Sequence, residues 1–342
     1  IIYLLLVVSY DKLILYALLM LSVQVFVRIL YTVYCKRHFE ECNSGRTYDK
    51  AVTKEILSFA GWSLLGNFGI TCRDQVTNIL FNVFFQTPVV NAARGIATQV
   101  SGIISTFATN ITMAINPQIT KNYSSGNIKE SVSLVYMGCR ASFYMLTLIV
   151  VPFVVNVDYV LELWLERVPE NTSLFLYFIL GVALIYSLSQ PITVAIQATG
   201  DIKAFQIWIF SLMVLEVCLT YLVLWITGSL VYALVPSVVV NFISTAVRMA
   251  LVKKKVGAYS FRQYAFDVVF RCVMVLLISC VVAIYIHYMI GYESFVAFLG
   301  ECVVLAISTI VIILLFGLKR DERLQLVSKL TMSVKRLNGR RV

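Results

Sequence analysis

Apolar residues run along nearly the whole chain in blocks long enough to cross hydrocarbon, separated by short polar or basic stretches. A bilayer core about 30 Å thick takes roughly 20 helical residues at about 1.5 Å each. Such blocks fall at about 12 to 36, 56 to 86, 88 to 117, 131 to 156, 172 to 198, 203 to 226, 230 to 252, 266 to 290 and 294 to 317. They lack the ten-residue alternation of an outer-membrane barrel, so the pattern predicts an all-α polytopic membrane protein. Residues 1 to 8, "IIYLLLVV", are too short to cross. Because the chain opens with Ile1 inside an apolar run, a preceding N-terminal part is expected and no signal peptide is read.

Two blocks depart from the rest. Between 56 and 86, Ser63, Asn67, Thr71, Asp74, Asn78 and Asn82 recur at three- or four-residue steps, which places them on one helical face. Between 88 and 117, Asn91, Arg94, Thr98, Ser101, Ser105, Thr109, Thr112 and Asn116 do the same. Lipid cannot solvate such stripes, so they must face protein or a water-filled cavity. Helix packing through small polar residues accounts for Ser101, Gly102 and Ser105. It accounts poorly for Arg94 and the adjacent Arg73 and Asp74, because a charge at depth costs at least about 2.5 to 3.5 kcal/mol.

Counted from the Pro88 turn, Arg94 lies about 9 Å deep and Asp74 about 21 Å deep at about 1.5 Å per residue. That gap argues against a direct bond between them. Asp74 is then expected to be tied to another helix or to be protonatable, leaving Arg94 for an anionic ligand.

Further polar groups share a face between 172 and 198: Tyr186, Gln190, Thr193 and Gln197, with Pro191 expected to kink the helix. A packing kink with satisfied glutamines is the competing explanation. Glu216 and Glu301 are candidate proton or cation sites, against the plainer alternative of protonated, hydrogen-bonded carboxyls. Arg28, Arg248 and Arg271 fall near the basic ends of their blocks, where snorkelling is expected.

Composition agrees with the pattern: 342 residues are 60% hydrophobic and 13% charged, with mean hydropathy +0.85. The formal charge of +10 could suggest a nucleic-acid partner, but its placement does not. Lys36, Arg37, Arg46, Lys50 and Lys54 share one loop, and Lys121 and Lys129 another; Lys203, Lys253 to Lys255, Arg262 and the tail from Lys319 to Arg341 complete the set. These connections all fall on one side of the membrane, whereas the other side holds Lys12, Arg167 and mostly acidic or neutral loops. The positive-inside bias places the C-terminus in the cytoplasm and explains the charge without nucleic acid. Cys35, Cys42, Cys72, Cys139, Cys218, Cys272, Cys280 and Cys302 show no metal spacing and resemble small apolar fillers. His38 and His287 are too isolated to build a metal site or triad.

The expected organisation places the end of one bundle at 1–36 and a cytoplasmic loop at 37–55. A six-helix bundle at 56–252, a basic link at 253–265, a helix pair at 266–317 and a basic tail at 318–342 follow. In the tail, Leu324, Val327, Leu330, Val334 and Leu337 share a helical face ringed by Lys and Arg, a pattern that fits an interfacial helix or a solvated tail equally.

The stretches "ILSFAGWSLLGN" (56–67), "QVTNILFNVFFQTPVVNAARGIATQVSGIISTFATNITMAINPQITKNYSSGN" (75–127), "LWLERVPE" (163–170) and "AIQATGDIK" (195–203) resemble the Bacteroidetes-type polysaccharide biosynthesis flippases. Those are similar to the Wzx-type O-antigen transporters of the multidrug/oligosaccharidyl-lipid/polysaccharide (MOP) superfamily. The resemblance covers almost the whole chain, is most specific over 88 to 127 and is generic in the last two helices. It implies a MATE/MOP-like two-lobed helical bundle: the end of the first lobe, the complete second lobe and two extra C-terminal helices. It also implies that the first two helices of each lobe line a central cavity, and that cavity cations engage a polyprenyl-linked pyrophosphate. Only Arg94, within "NAARG", carries that role over directly; no fixed pattern assigns Arg73 and Asp74.

The expected activity is that of a flippase moving an undecaprenyl-pyrophosphate-linked oligosaccharide across the bacterial inner membrane by alternating access. The candidate cavity residues are Arg94, Asn91, Thr98, Ser101, Ser105, Asn67, Asn78, Asn82, Arg73, Gln190 and Gln197, with Asp74 and Glu216 as ion-coupling candidates. No catalytic residue, metal or cofactor is expected, apart from a coupling cation, H+ or Na+. The partners are the lipid-linked glycan, membrane lipids and other polysaccharide-assembly proteins. A drug/cation antiporter of the same fold would favour an anionic cavity, and Arg94 argues against it. A membrane-embedded glycan polymerase or glycosyltransferase would need a large extramembrane loop or clustered acid and His groups, which the chain lacks.

Overall fold

The computed structural model describes residues 12–42, 49–290, 295–319 and 322–323, and these are helical wherever they form regular structure. Most of the proposed tail helix lies outside the described residues. The chain divides into two compact units, residues 1–57 and 58–342, and the division falls inside a helix.

The first unit holds α1 (Lys12–His38), followed by a short 3-10 turn, Glu40–Cys42. Its stretch Ile14–His38 has a mean hydropathy of 2.0 and buries nothing of its most apolar window. Lys36, Arg37 and His38 close the helix at its C-terminus, where the macrodipole favours cations. The next helix, α2 (Lys50–Phe85), starts where Asp49 Oδ1 accepts from the Ala51 N–H at 2.8 Å and satisfies one orphan donor.

In the second unit, α2 turns back at Gln86, whose φ of +53° makes the reversal, and Pro88 opens α3 (Pro88–Ser124) with its φ already set for a helix. Then come α4 (Ile128–Val155), the short α5 (Val157–Trp164), α6 (Thr172–Ser187) and α7 (Gln190–Ala198). After them run α8 (Lys203–Thr227) and α9 (Leu230–Val256). The last pair is α10 (Arg271–Ile290), entered through a helical turn Phe261–Tyr264 and a π turn Ala265–Phe270, and α11 (Phe295–Ile312), which ends in a π turn. Helix α3 packs on α4, α6 and α7; α9 packs on α8, α6 and α7; α10 and α11 pack on each other and on α4. The largest fully buried side chains, including Phe81, Phe175, Leu176, Ile192 and Met249, fill the centre of this unit.

Among the described residues, seven stretches are long and apolar enough to cross a membrane, and they correspond to all but two of the expected spans. The exceptions are α2 and α3. With 36 and 37 residues they are the longest described helices, about 54 Å each at 1.5 Å per residue, but their polar positions dilute the apolar content. The expected kink at Pro191 is a full break: α6 ends at Ser187 and α7 restarts at Gln190, because proline has no N–H to donate to the carbonyl of Ser187. All eight cysteines are free thiols.

Candidate functional site

The polar faces of α2, α3, α6, α7, α8 and α9 converge on two cavities. One, about 690 Å³, includes Asp74, Asn78, Asn91, Arg94 and Thr98 in its wall. The other, about 510 Å³, includes Asn67, Ser101, Ser105, Gln190 and Gln197. Arg73 and Glu216 line both. Of the candidate cavity and ion-coupling residues, Asn82 alone lines neither of these cavities; it is exposed on α2. The larger cavity lies toward the Gln86 turn and the start of α9, and the smaller toward the end where Lys203 and Lys253 to Lys255 sit.

Many hydroxyls on these faces are already donating along their own helices. Thr77 donates to Arg73 O at 2.8 Å, Thr98 to Arg94 O at 2.8 Å and Thr109 to Ser105 O at 3.0 Å. Such hydroxyls offer lone pairs to a cavity, and amides and guanidinium groups supply donors. Further along α3, Thr112 meets Ser142 Oγ on α4 at 3.1 Å in the interior, which is interhelical packing rather than cavity lining.

An ion-pair network joins the two cavities. Arg73 donates through Nη2 to Asp74 Oδ1 at 3.0 Å and places Nη1 3.6 Å from Glu216 Oε2 on α8. Arg94 lies 3.7 Å from Asp74 Oδ1, donates to Asp74 O at 3.2 Å and also donates to Asn78 Oδ1. The expectation that Arg94 and Asp74 are too far apart to bond is therefore corrected. Depth counted along helix axes compares backbone positions, whereas the guanidinium sits at the end of a long flexible stem that runs along the axis. Phe81 adds a ring face 5.9 Å from the Arg94 guanidinium carbon.

Residues that sequence reasoning missed lie mostly on α8 and α9. Gln206 projects against Gly66, where any Cβ would overlap its Oε1, so the glycine lets α2 and α8 close on the smaller cavity. Asn241, Ser244 and Arg248 line that cavity too. With Ser237 they recur at steps of three or four, the same signal that revealed the stripes on α2 and α3. Arg248 does not snorkel: it is 6% exposed, donates to Ser189 Oγ at 2.6 Å and lies 5.0 Å from the Tyr186 ring centre. Position near a helix end suggested snorkelling, but α9 packs against α6 and α7 there and turns this face inward.

Arg140 on α4 also escaped notice; it is buried, donates to Asp267 O at 3.2 Å and pairs with Glu322. His287, isolated in sequence, meets the buried Glu301 at 2.8 Å across α10 and α11. Among the described residues no group of His, Cys, Asp and Glu could hold a metal.

Seven membrane-competent stretches among the described residues mark a multi-pass membrane protein, and its second unit holds polar and charged cavities. Residues 63–222, from α2 into α8, match the family model described as MatE. Among curated proteins and solved structures nothing matches.

Proposed function

We propose that this transporter is a flippase for polyprenyl-pyrophosphate-linked oligosaccharides in the bacterial inner membrane, with its C-terminus in the cytoplasm and residues 56–252 acting as one six-helix lobe. The supporting observation is the chemistry of the adjoining cavities: amides, hydroxyls and arginines, with Asp74 and Glu216 both facing guanidinium groups. Sugars and a charged headgroup need substitute solvation in hydrocarbon, and such a lining supplies it while the lipid tail stays outside. A carrier of cations would need a carboxylate free to receive them. Rocking of one lobe against another would expose the cavities to each leaflet in turn. Asp74 and Glu216 are the groups through which H+ or Na+ would be coupled, because protonating either one loosens an arginine.

The test is leaflet exchange of a labelled polyprenyl-pyrophosphate oligosaccharide in proteoliposomes, with efflux of a lipophilic cationic dye measured in parallel. Exchange by wild type that collapses in Arg94→Ala, with the protein folded, is expected. Dye efflux without oligosaccharide exchange would replace this reading with the antiporter. Ion coupling is tested separately: exchange in Asp74→Asn and Glu216→Gln that still followed an imposed ion gradient as in wild type would remove these carboxylates from that role.

A further inference from the structure

We infer that the smaller cavity contains a phosphate-oxyanion site built on Arg248, outside the stretch that matches the transporter family. This deepens the flippase reading, and it rests on that reading for the source of the anion, a lipid headgroup rather than a free phosphate.

The inference starts from charge. A guanidinium stays protonated at any ordinary pH, so a buried arginine needs a partner of opposite charge. Arg73 faces Asp74 and Glu216, Arg94 faces Asp74, and Arg140 faces Glu322. Arg248 is as buried as Arg140, yet no carboxylate reaches it among the described residues. Its neighbours are a serine hydroxyl and a tyrosine ring, and its Nε–H is buried with no acceptor. A hydroxyl and a ring face soften a positive charge without cancelling it. The C-terminal carbonyls of α6 add at most about half an elementary charge.

That uncompensated guanidinium lines a cavity of about 510 Å³, ample for a phosphate group. Gln190, Gln197, Gln206 and Asn241 line the same space, and their amides can donate to oxyanion oxygens that Arg248 does not reach. Arginine suits phosphate because its planar fork presents two parallel N–H donors. Glu216, the only carboxylate among the described residues of this wall, is occupied by Arg73, so the described wall carries an excess positive charge. Lys253, Lys254 and Lys255 follow on the same helix and concentrate anions at that end.

The experiment uses the full protein in lipid nanodiscs and measures equilibrium binding of labelled inorganic pyrophosphate and of farnesyl pyrophosphate. Wild type is expected to bind, Arg248→Gln to bind about tenfold or more weakly, and Arg28→Gln, on the exposed α1, to match wild type. Ser189→Asp provides a second route. It sets a carboxylate beside the guanidinium, and the folded variant is expected to lose pyrophosphate binding. If Arg248→Gln fails to fold, Ser189→Asp decides. Wild type that binds neither probe, or a folded Arg248→Gln or Ser189→Asp that binds as well as wild type, overturns the site. Farnesyl pyrophosphate binding at least about tenfold tighter than inorganic pyrophosphate supports the headgroup as source; equal affinities keep the anion site and overturn the headgroup as its source. Arg248-dependent binding without oligosaccharide exchange would retire the flippase reading and leave the site standing. Exchange without Arg248-dependent binding would do the reverse.

Discussion

The two cavities share Arg73 and Glu216 and lie within one packed unit, yet their electrostatics differ. In the larger, Arg73 and Arg94 are matched by Asp74 and Glu216 within 4 Å, so the charged wall is neutral and internally held. In the smaller, Arg248 has no such match and leans on Ser189 and Tyr186. Neutral networks stabilise a particular arrangement of helices; an unmatched buried charge costs stability and is retained where something else compensates it. The larger cavity therefore resembles a latch between α2, α3 and α8, and the smaller a receptor waiting for a counter-charge.

The sharpest way to break this contrast is to substitute a charge on each side and compare signs. Glu216→Gln removes a carboxylate that is only 10% exposed and strands Arg73 on its α8 side, so a loss of about 3 kcal/mol is expected, seen as a lower thermal midpoint in detergent. Arg248→Gln removes the unmatched charge, and an unchanged or higher midpoint is expected, a gain of about 1 kcal/mol. If both variants lost stability equally, the contrast between the cavities would fail.

A smaller effect should come from the close approach of α2 to α8. A Cβ at Gly69 would stand 2.9 Å from Phe210 Cδ2 on a ring that cannot easily retreat, so Gly69→Ala should cost about 1 to 2 kcal/mol by overpacking. At Gly66 the clash is with the end of the Gln206 side chain, which can swing away. Gly66→Ala should therefore cost under about 1 kcal/mol and perturb the smaller cavity more than the fold.

Outside the membrane, the smallest effect is expected at Asp201, paired with Lys255 at 2.6 Å but 72% exposed. Its hydrogen bond to Lys255 holds the carboxyl below the ordinary carboxylate range. The resulting stabilisation is present at neutral pH and disappears as the pH falls through that depressed value. Asp201→Asn should shift unfolding by less than about 0.5 kcal/mol at pH 7 and remove even that difference in strong acid. A larger shift would mean that the basic end of α9 is anchored more firmly than an exposed pair allows.

Local sequence made the helices, the two polar stripes and a kink at Pro191 legible, because each follows from residues within one segment; that the kink is a break was not. The same periodicity was present in Ser237, Asn241, Ser244 and Arg248, but the expectation that arginines near helix ends snorkel concealed it. Pairings such as Arg94 with Asp74, Arg73 with Glu216 and His287 with Glu301 join residues on different helices, and no spacing rule along one helix encodes them. Depth arithmetic even pointed the wrong way for the first, since it follows the backbone and a guanidinium does not stay beside its own Cα.

By itself, the sequence determined that the chain is helical and membrane-embedded and that polar and charged residues share one face of α2 and one of α3. Those properties follow from composition and from the 3.6-residue period, which every helix obeys alone. Only the tertiary structure decided which of those charges are cancelled. Neutralisation depends on distances between side chains on different helices, and there packing closed Arg73 and Arg94 onto carboxylates and left Arg248 facing a cavity.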